Sequence, residues 1–591
     1  MEKYDWNDLL DYKTLIEKGP EIRSACLKEN NPYKIKIAVL AGSTVGVIKE
    51  FIETFLSLNN IQCEFWEGEY NRIYEDSMFD NTELTEFHPD FIYLHMTNKN
   101  LPFDCEADLN AEESAEKEFE RLCTIWGSLY LKHGCKIIQN TFEYYPYRII
   151  GNASRYAKDG LVAVIDSLNS KVTAFAREHS YMLLNDLNYI SANEGLKKWY
   201  NSNLWFLYKY PFDMSVMPSV AMNIAAIIKS ASGKNRKMVI TDLDNTLWKG
   251  EIGELGPGGI EVGQDTPNGE QFQHIQIYLR NLKRHGVLLN ICSKNDYETG
   301  LSGLETFGSV LKPDDFTEKR INWEDKYYNI QDILKCLNLA SDSAVFIDDN
   351  KMELESVKAV FPDMFVVRMK NADSFIQNME NYHFFECTEN SEEDQKRSEY
   401  YKTNQMRDKA ELTYANHEEF LKSLRMKCIV SSINKDNINR VVQLANKTNQ
   451  FNMTTKRMSL ADMEAIINDP SYVTITGRLQ DRYGDNGLVS VIIAKITGDS
   501  AEIILWIMSC RVFRRNMEYA MWSELLKELK AKGIKRIFGY YIETAKNGKV
   551  KNFYGQLGFN QVSESNLTHK WEYIVNKKNV VIPDFLIDIV A

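Results

Sequence analysis

Apolar runs alternate with helical stretches along the first two hundred residues. Ile35–Leu40, Gln62–Trp66, Phe91–His95 and Lys136–Gln139 read as buried strands. Helical stretches at Val47–Leu58 and, longer and charged, at Ala111–His133 lie between them, after a helical lead-in to about residue 30. That alternation predicts a doubly wound parallel sheet. A second series follows, in which Met238–Thr241, Val287–Cys292 and Ala344–Ile347 each end abruptly in polar residues. Between the first two of these, the glycine-rich Leu255–Gly263 predicts a hairpin flap. Thr266-Pro267 then opens a helix with one apolar face (Phe272, Ile275, Leu279, Leu282), which Gly286 ends. In the last third, Val473–Thr476, Ser490–Ile496 and Ala501–Met508 read as antiparallel strands. A helix at Met517–Ala531, a strand at Ile534–Tyr541 and a closing helix before Leu557-Gly558-Phe559 complete an α+β unit.

The chain is therefore expected to be a multidomain α/β protein, and 591 residues are too many for one core. Ser230–Arg236, rich in Ser, Gly, Lys and Asn, suggests a boundary, giving domains at 1–235, 236–372 and 427–591. A helical connector at 373–426 would begin with the charged Ser391-Glu392-Glu393-Asp394, taken most simply as a solvated face. The net charge of −13 argues against general nucleic-acid binding. The scattered cysteines include no Cys-x-x-Cys pair, and the start of the sequence lacks a signal-peptide core. The most apolar window, Val216–Ile228, reads as too short to span a membrane. These features predict a cytoplasmic protein with no membrane or nucleic-acid partner.

The chemistry concentrates where the second series of apolar runs ends. In Met238-Val-Ile-Thr-Asp-Leu-Asp-Asn-Thr, Asp242 and Asp244 are two apart and share one face at a strand end, with Thr246 beyond them. Open α/β sheets bind ligands at that edge. Two acids in different environments can divide the work, one attacking phosphorus and the other moving a proton. The next run ends in Ser293-Lys294-Asn295, Lys326 follows, and the third ends in Asp348-Asp349. Together these suit one phosphoryl-transfer site. The short spacing from Asp244 to Ser293 leaves no room for a large cap, so the site should be open to a bulky partner and to water.

These motifs resemble a known family. Met238–Gly263, Cys292-Ser-Lys-Asn295 and Val345–Asn350 look like the FkbH-like proteins. In these, a haloacid-dehalogenase (HAD) superfamily domain with a Rossmann-like fold is fused to a GNAT-like domain. Thr448–Thr455, Met508–Arg511 and Phe553–Phe559 extend the likeness. The Gly42-Ser43 turn is similar to the opening of SGNH-type hydrolases. Its late segment, Trp205–Pro211, has no histidine, and His179 sits in no catalytic motif, so Ser43 is expected to lack a base and this SGNH-like domain to be non-catalytic. The resemblance implies Asp242 as nucleophile and Mg²⁺ ligand and Asp244 as general acid/base. Asp242, Asp244, Asp348 and Asp349 would make the metal site, and Thr246, Ser293, Asn295 and Lys326 would hold phosphate.

The family is associated with moving a glyceryl group from 1,3-bisphosphoglycerate to the phosphopantetheine thiol of an acyl carrier protein, as in polyketide biosynthesis. Attack of Asp242 at the acyl phosphate would waste the activation, so Asp242 should act on the 3-phosphoester and a thiol on C1. Cys292, beside Lys294, and Cys510, beside Arg511, are candidate acyl carriers, each neighbour being able to lower a thiol pKa. GNAT enzymes cradle a diphosphate with Arg/Gln-x-x-Gly-x-Gly/Ala; here Arg511-Val-Phe-Arg-Arg-Asn516 lacks both glycines. Arg511, Arg514 and Arg515 would instead suit the single phosphodiester of a carrier arm. The alternatives are a stand-alone phosphatase acting on a small polyol or sugar phosphate, and a non-catalytic biosynthetic scaffold.

Overall fold

The computed structural model describes residues 6–28, 33–101, 110–388, 397–448, 450–544, 547–565, 567–575 and 587–590. It divides into two compact units, Met1–Lys234 with Met458–Ile466, and Asn235–Arg457 with Ile467–Ala591. The break falls inside the Ser230–Arg236 stretch.

In the first unit, β1 (Tyr33–Ala41), β2 (Ile61–Glu67), β3 (Phe91–His95), β4 (Lys136–Asn140) and β5 (Met182–Asn185) form a sheet in the order β2-β1-β3-β4-β5. Every pairing is parallel. Both faces are covered by helices, which is why β1, β3 and β4 read as apolar runs rather than alternating ones. The helix Ala111–His133 starts and ends as the sequence predicts. Asn110 and Glu113 form its capping box, and Gly134 closes it with a left-handed backbone. The strand β5 was not anticipated, because four residues between two helices give little periodicity to read. Among the described residues, one helical stretch is long and apolar enough to cross a membrane. It is Met214–Ala231, longer than the window seen in sequence, and 72% of it is buried inside the protein.

The second unit holds two sheets. β6 (Met238–Thr241), β7 (Leu288–Ser293), β8 (Phe316–Ile321), β9 (Ala344–Asp348) and β10 (Phe365–Arg368) lie in the order β10-β9-β6-β7-β8, again all parallel. Met238, Ile240, Leu288 and Phe346 pack against Ile330, Ile333 and Val357 from the covering helices. Thr266 caps the helix Pro267–Arg284, with proline in its first turn and its apolar face centred on Ile275 and Leu279. The expected hairpin flap is corrected. Ile252–Leu255 is a short helix, and a single bridge between Lys249 and Glu261 stands where a ladder was expected.

The third sheet contains β11 (Met426–Ser431), β12 (Phe451–Asn452), β13 (Tyr472–Asp481), β14 (Gly484–Thr497), β15 (Ser500–Met508), β16 (Arg536–Ile542), β17 (Asn560–Ser565), β18 (Thr568–Ile574) and β19 (Ile587–Val590). Its path is β17-β18-β16-β15-β14-β13-β11-β19, with β12 beside β15. The helix Met517–Ala531 packs its Met521, Trp522 and Leu525 into the core of this α+β fold. β15 and β16 pair in parallel only from Ser500 to Ile503, and then part. The gap is filled by the chain itself: Met453 N–H donates to Trp506 O, and Ile542 N–H donates to Met453 O.

Ser391–Asp394, the expected start of the connector helix, lies outside the described residues. The helix that follows, Arg397–Glu411, is more than a solvated face. Arg407 is buried and donates two hydrogen bonds, of 2.8 and 2.7 Å, to Asp481.

Candidate active site

Strands β6, β7 and β9 lie side by side, and their carboxyl ends carry the polar residues to one edge. Thr241 is in register with Ile347, and Asp242 N–H donates to Ile347 O, which sets Asp242 beside Asp348. The carboxylates of Asp242, Asp348 and Asp349 offer oxygen atoms all within 4.8 Å of one another. Lys326 opens the helix Lys326–Cys336 and reaches into this cluster, with Nζ 2.6 Å from Asp348 Oδ2 and 3.1 Å from Asp242 Oδ1. Burial opposes the lysine's charge, but Asp242 and Asp348 more than offset it and hold its pKa above the ordinary value. Burial first, and then the negative charge of Asp242, pushes Asp348 up to about 7 and raises Asp349. Converging carboxylate oxygens without nitrogen or sulfur donors are the set a hard divalent cation prefers.

Asp244 is set apart from that cluster. Asn245 adopts a left-handed backbone, φ 51°, which turns the chain sharply after Asp244. Asp244 Oδ1 accepts from Trp248 Nε1 at 2.8 Å and from the Ile252 backbone at 3.0 Å; its Oδ2 accepts from Asn295 at 3.0 Å. The metal role for the Asp244 side chain is therefore corrected, since both of its oxygens point to protein donors. Burial raises its pKa, with the Ile252 and Trp248 hydrogen bonds working against the rise. It is thus more prone to hold a proton than an ordinary aspartate. Asn295 is likewise corrected from phosphate ligand to a group that orients Asp244.

Trp248 was not anticipated, because a tryptophan four residues beyond an acid reads as core. It is buried, and its ring lies where Gly303 leaves room: a Cβ at Gly303 would stand 2.5 Å from the indole. Gln276 was also missed. Its amide donates to Leu247 O and accepts from the backbone of Val310 and Leu311, fixing the loop that follows Asp244.

Ser293 ends β7 and is buried; Thr246 Oγ1 is buried and has no partner among the described residues. Cys292 is fully buried, its Sγ is 3.6 Å from Lys326 O, and burial pushes its thiol pKa well up. Lys294 turns instead to Glu353 at 2.8 Å. A thiol so enclosed cannot receive an acyl group from solvent, which corrects that role for Cys292. The side chain of Cys510 lies outside the described residues.

Of the three arginines, Arg515 is committed. It is buried and bound to Asn404, Asn486 and Asp481, the last of which offsets its charge. Arg511 stacks over Tyr400, 4.4 Å from the ring centroid, and Arg514 keeps 75% of its side chain exposed. In the first unit Ser43 is buried and its hydroxyl has no partner among the described residues. His179 stacks on Phe175 and bonds to the Phe175 carbonyl.

Fold and site together define a multidomain α/β protein whose central parallel sheet carries a cluster of carboxylates and a lysine at its carboxyl edge. Residues 36–229 match the family model described as FkbH, N-terminal domain. A similar solved structure is the N-terminal part of the protein BF1531 from Bacteroides fragilis, which contains a phosphatase domain and is complexed with Mg. It shares 24% identity at a TM-score of 0.59 and covers 63% of this chain and 99% of its own, so the fold is shared. Two acetyltransferases show slighter likeness. The ribosomal-protein-S18-alanine N-acetyltransferase of Escherichia coli shares 13% identity at a TM-score of 0.22, covering 27% of this chain and 99% of its own. The PaiA N-acetyltransferase of Thermoplasma acidophilum shares 14% at 0.21, covering 25% and 99%. No curated protein matches the chain significantly.

Proposed function

We propose that this chain is a Mg²⁺-dependent phosphatase coupled to glyceryl transfer. It would take a glyceryl unit from 1,3-bisphosphoglycerate to the phosphopantetheine thiol of an acyl carrier protein. The observation that carries the reading is the group of buried Asp242, Asp348 and Lys326 with half-buried Asp349, beside a separately held Asp244. Asp242, Asp348 and Asp349 would hold the cation, which supplies positive charge against the phosphoryl oxygens.

In the phosphatase step, an Asp242 oxygen attacks the phosphorus of the 3-phosphoester. The bond from phosphorus to the C3 oxygen breaks, and the Asp244 carboxyl donates its proton to the leaving oxygen. Asp244, now a carboxylate, takes a proton from water as that water attacks the aspartyl-phosphate, freeing Asp242 and inorganic phosphate. Lys326 offsets the charge that builds on the phosphoryl oxygens, and the Ser293 and Thr246 hydroxyls donate to them. In the transfer step a thiol sulfur attacks C1, the bond from C1 to the acyl-phosphate oxygen breaks, and phosphate leaves, taking up the proton that the thiol gives. With Cys292 enclosed, that thiol would be the carrier's own or that of Cys510. The same enclosure favours a second reading, a stand-alone phosphatase for a small polyol or sugar phosphate.

The test is the intact mass of a phosphopantetheinylated carrier protein after incubation with the enzyme, Mg²⁺ and freshly generated 1,3-bisphosphoglycerate. A glyceryl adduct with the wild-type protein, and a phosphoglyceryl adduct with Asp242→Asn, support the coupled reading. Phosphate release without any adduct, across several carriers, leaves the simple phosphatase.

A further inference from the structure

A cavity of about 750 Å³ lies between the far end of the Lys326–Cys336 helix, the helix Arg397–Glu411 and the loops around Arg511 and Lys549. Its volume is that of a small-molecule site. Its wall is charged against the grain of the chain. Lys335, Arg511, Arg514 and Lys549 face one acid, Glu411, in a protein of net charge −13. Glu411 is itself shared by His417, at 2.8 Å, and Arg514, at 3.4 Å. Lys549 is placed by a 3.0 Å hydrogen bond to Asn338. Leu334, Leu337, Leu339, Phe420 and Phe513 share the rest of the lining with the amides of Asn338, Asn404 and Gln450 and with the buried Arg407 and Arg515, whose charges Asp481 offsets. Cations gathered beside apolar and amide side chains suit a ligand with one anionic group and an extended uncharged body.

The helix Lys326–Cys336 fixes where this cavity stands relative to the aspartates. It crosses from β8 back to β9, so its first residue sits at the carboxyl edge of the sheet and its last at the amino edge. At about 1.5 Å per residue its ends are about 15 Å apart. Lys326 is among the aspartates, whereas Lys335 and Cys336 are in the cavity wall.

We propose that this cavity binds a phosphate ester carried on an extended uncharged arm, at a site separate from the Asp242 centre. The proposal deepens the transferase reading and rests on it for the identity of the arm, phosphopantetheine. Cys336 is an exposed thiol in the wall and reports occupancy, and Cys387, also exposed, serves as reference. The experiment measures iodoacetamide labelling of both cysteines in the full-length protein by peptide mass. The probes are free phosphopantetheine, pantetheine, and a carrier protein bearing the arm. Protection of Cys336 relative to Cys387 by at least five-fold is expected with a phosphate-bearing probe, not with pantetheine, and should disappear in Lys335→Ala/Arg514→Ala. Protection by the free ester alone identifies a small-molecule ligand; protection by the loaded carrier at lower concentration identifies the carrier. Equal protection by pantetheine, protection by neither phosphate-bearing probe, or full protection in the double variant overturns the proposal. Asp242→Asn should be protected as well as wild type. Protection without any glyceryl adduct in the mass assay would therefore count against the transferase reading and leave this site standing.

Discussion

Replacing Lys326 with methionine keeps the length and packing of the side chain but removes the one cation bonded to two buried carboxylates. At separations of 2.6 and 3.1 Å, and an effective dielectric constant of about 20, each attraction is roughly 5 to 6 kcal/mol before desolvation is counted. Stripping one partner from a buried pair costs about 3 to 5 kcal/mol, because the remaining charges stay buried and uncompensated. The chain has two compact units, so a single unfolding transition would blur the effect. Amide exchange in peptides covering β6 and β9 reads it locally. In EDTA, Lys326→Met should exchange there faster by about two to three orders of magnitude, at 1.4 kcal/mol per decade. Added Mg²⁺ should restore much of the protection, since a cation held by Asp242, Asp348 and Asp349 substitutes for the lost charge, by up to about 2.7 kcal/mol at a hundred times its dissociation constant. Removing a neighbouring positive charge should also tighten Mg²⁺ binding while turnover collapses. Less than a five-fold change in EDTA, or no recovery with Mg²⁺, would refute the electrostatic account of the site.

Three further outcomes follow from the geometry. Gly303→Ala places a methyl group 2.5 Å from the Trp248 ring and should loosen the hold on Asp244; turnover of a generic phosphate ester should fall about ten-fold with little change in KM. Glu143 is buried in the first unit, and burial raises its pKa to about 7 from 4.5. Its protonated form is therefore favoured by folding, and that contribution is full below pH 4.5 and lost as pH rises through 7. Glu143→Gln should thus stabilise the first unit at pH 8 by up to about 3 kcal/mol and by little at pH 4.5, measured as the pH dependence of exchange in β4. Arg407→Met leaves Asp481 buried with the Tyr483 backbone N–H and the longer contact to Arg515 as partners, and should cost about 3 kcal/mol in exchange protection of β13.

The parallel sheets were legible because strands buried on both faces leave unbroken apolar runs, and each run of the second sheet ends where polar residues begin. Asp242, Lys326, Asp348 and Asp349 could be grouped from those ends. The orientation of Asp244 could not, since it depends on Trp248 and Asn295, residues distant in strand register and joined only by the left-handed turn at Asn245. Burial of Cys292 was half visible: it is the penultimate residue of a strand, and period-two geometry puts it opposite Ile291. Arg515 and Arg514 are neighbours in sequence with opposite fates, because Arg514 takes the left-handed backbone, φ 63°, and Arg515 turns inward to Asp481. The strands β17, β18 and β19 escaped notice because polar residues alternate through them.

The helix Lys326–Cys336 also bears on how the two proposed chemistries would share one chain. Its first turn offers a lysine to the aspartates and its last turn a lysine to a cationic cavity at the opposite edge of the sheet. A donor with both an acyl phosphate and a phosphoester has two reactive ends, and only one order of events preserves the activation. If the arm is held at the cavity while its thiol takes the acyl group, the Asp242 centre meets the phosphoester only after the acyl phosphate has gone. Distance along the helix would then do what selectivity within one pocket would otherwise have to do. A single shared pocket would expose both phosphates to Asp242 at once, and hydrolysis at C1 would compete with transfer. Shortening the carrier arm therefore separates the two arrangements: with distinct sites it should leave the phosphoglyceryl adduct intact and abolish its dephosphorylation, whereas in a shared pocket both steps would fall together.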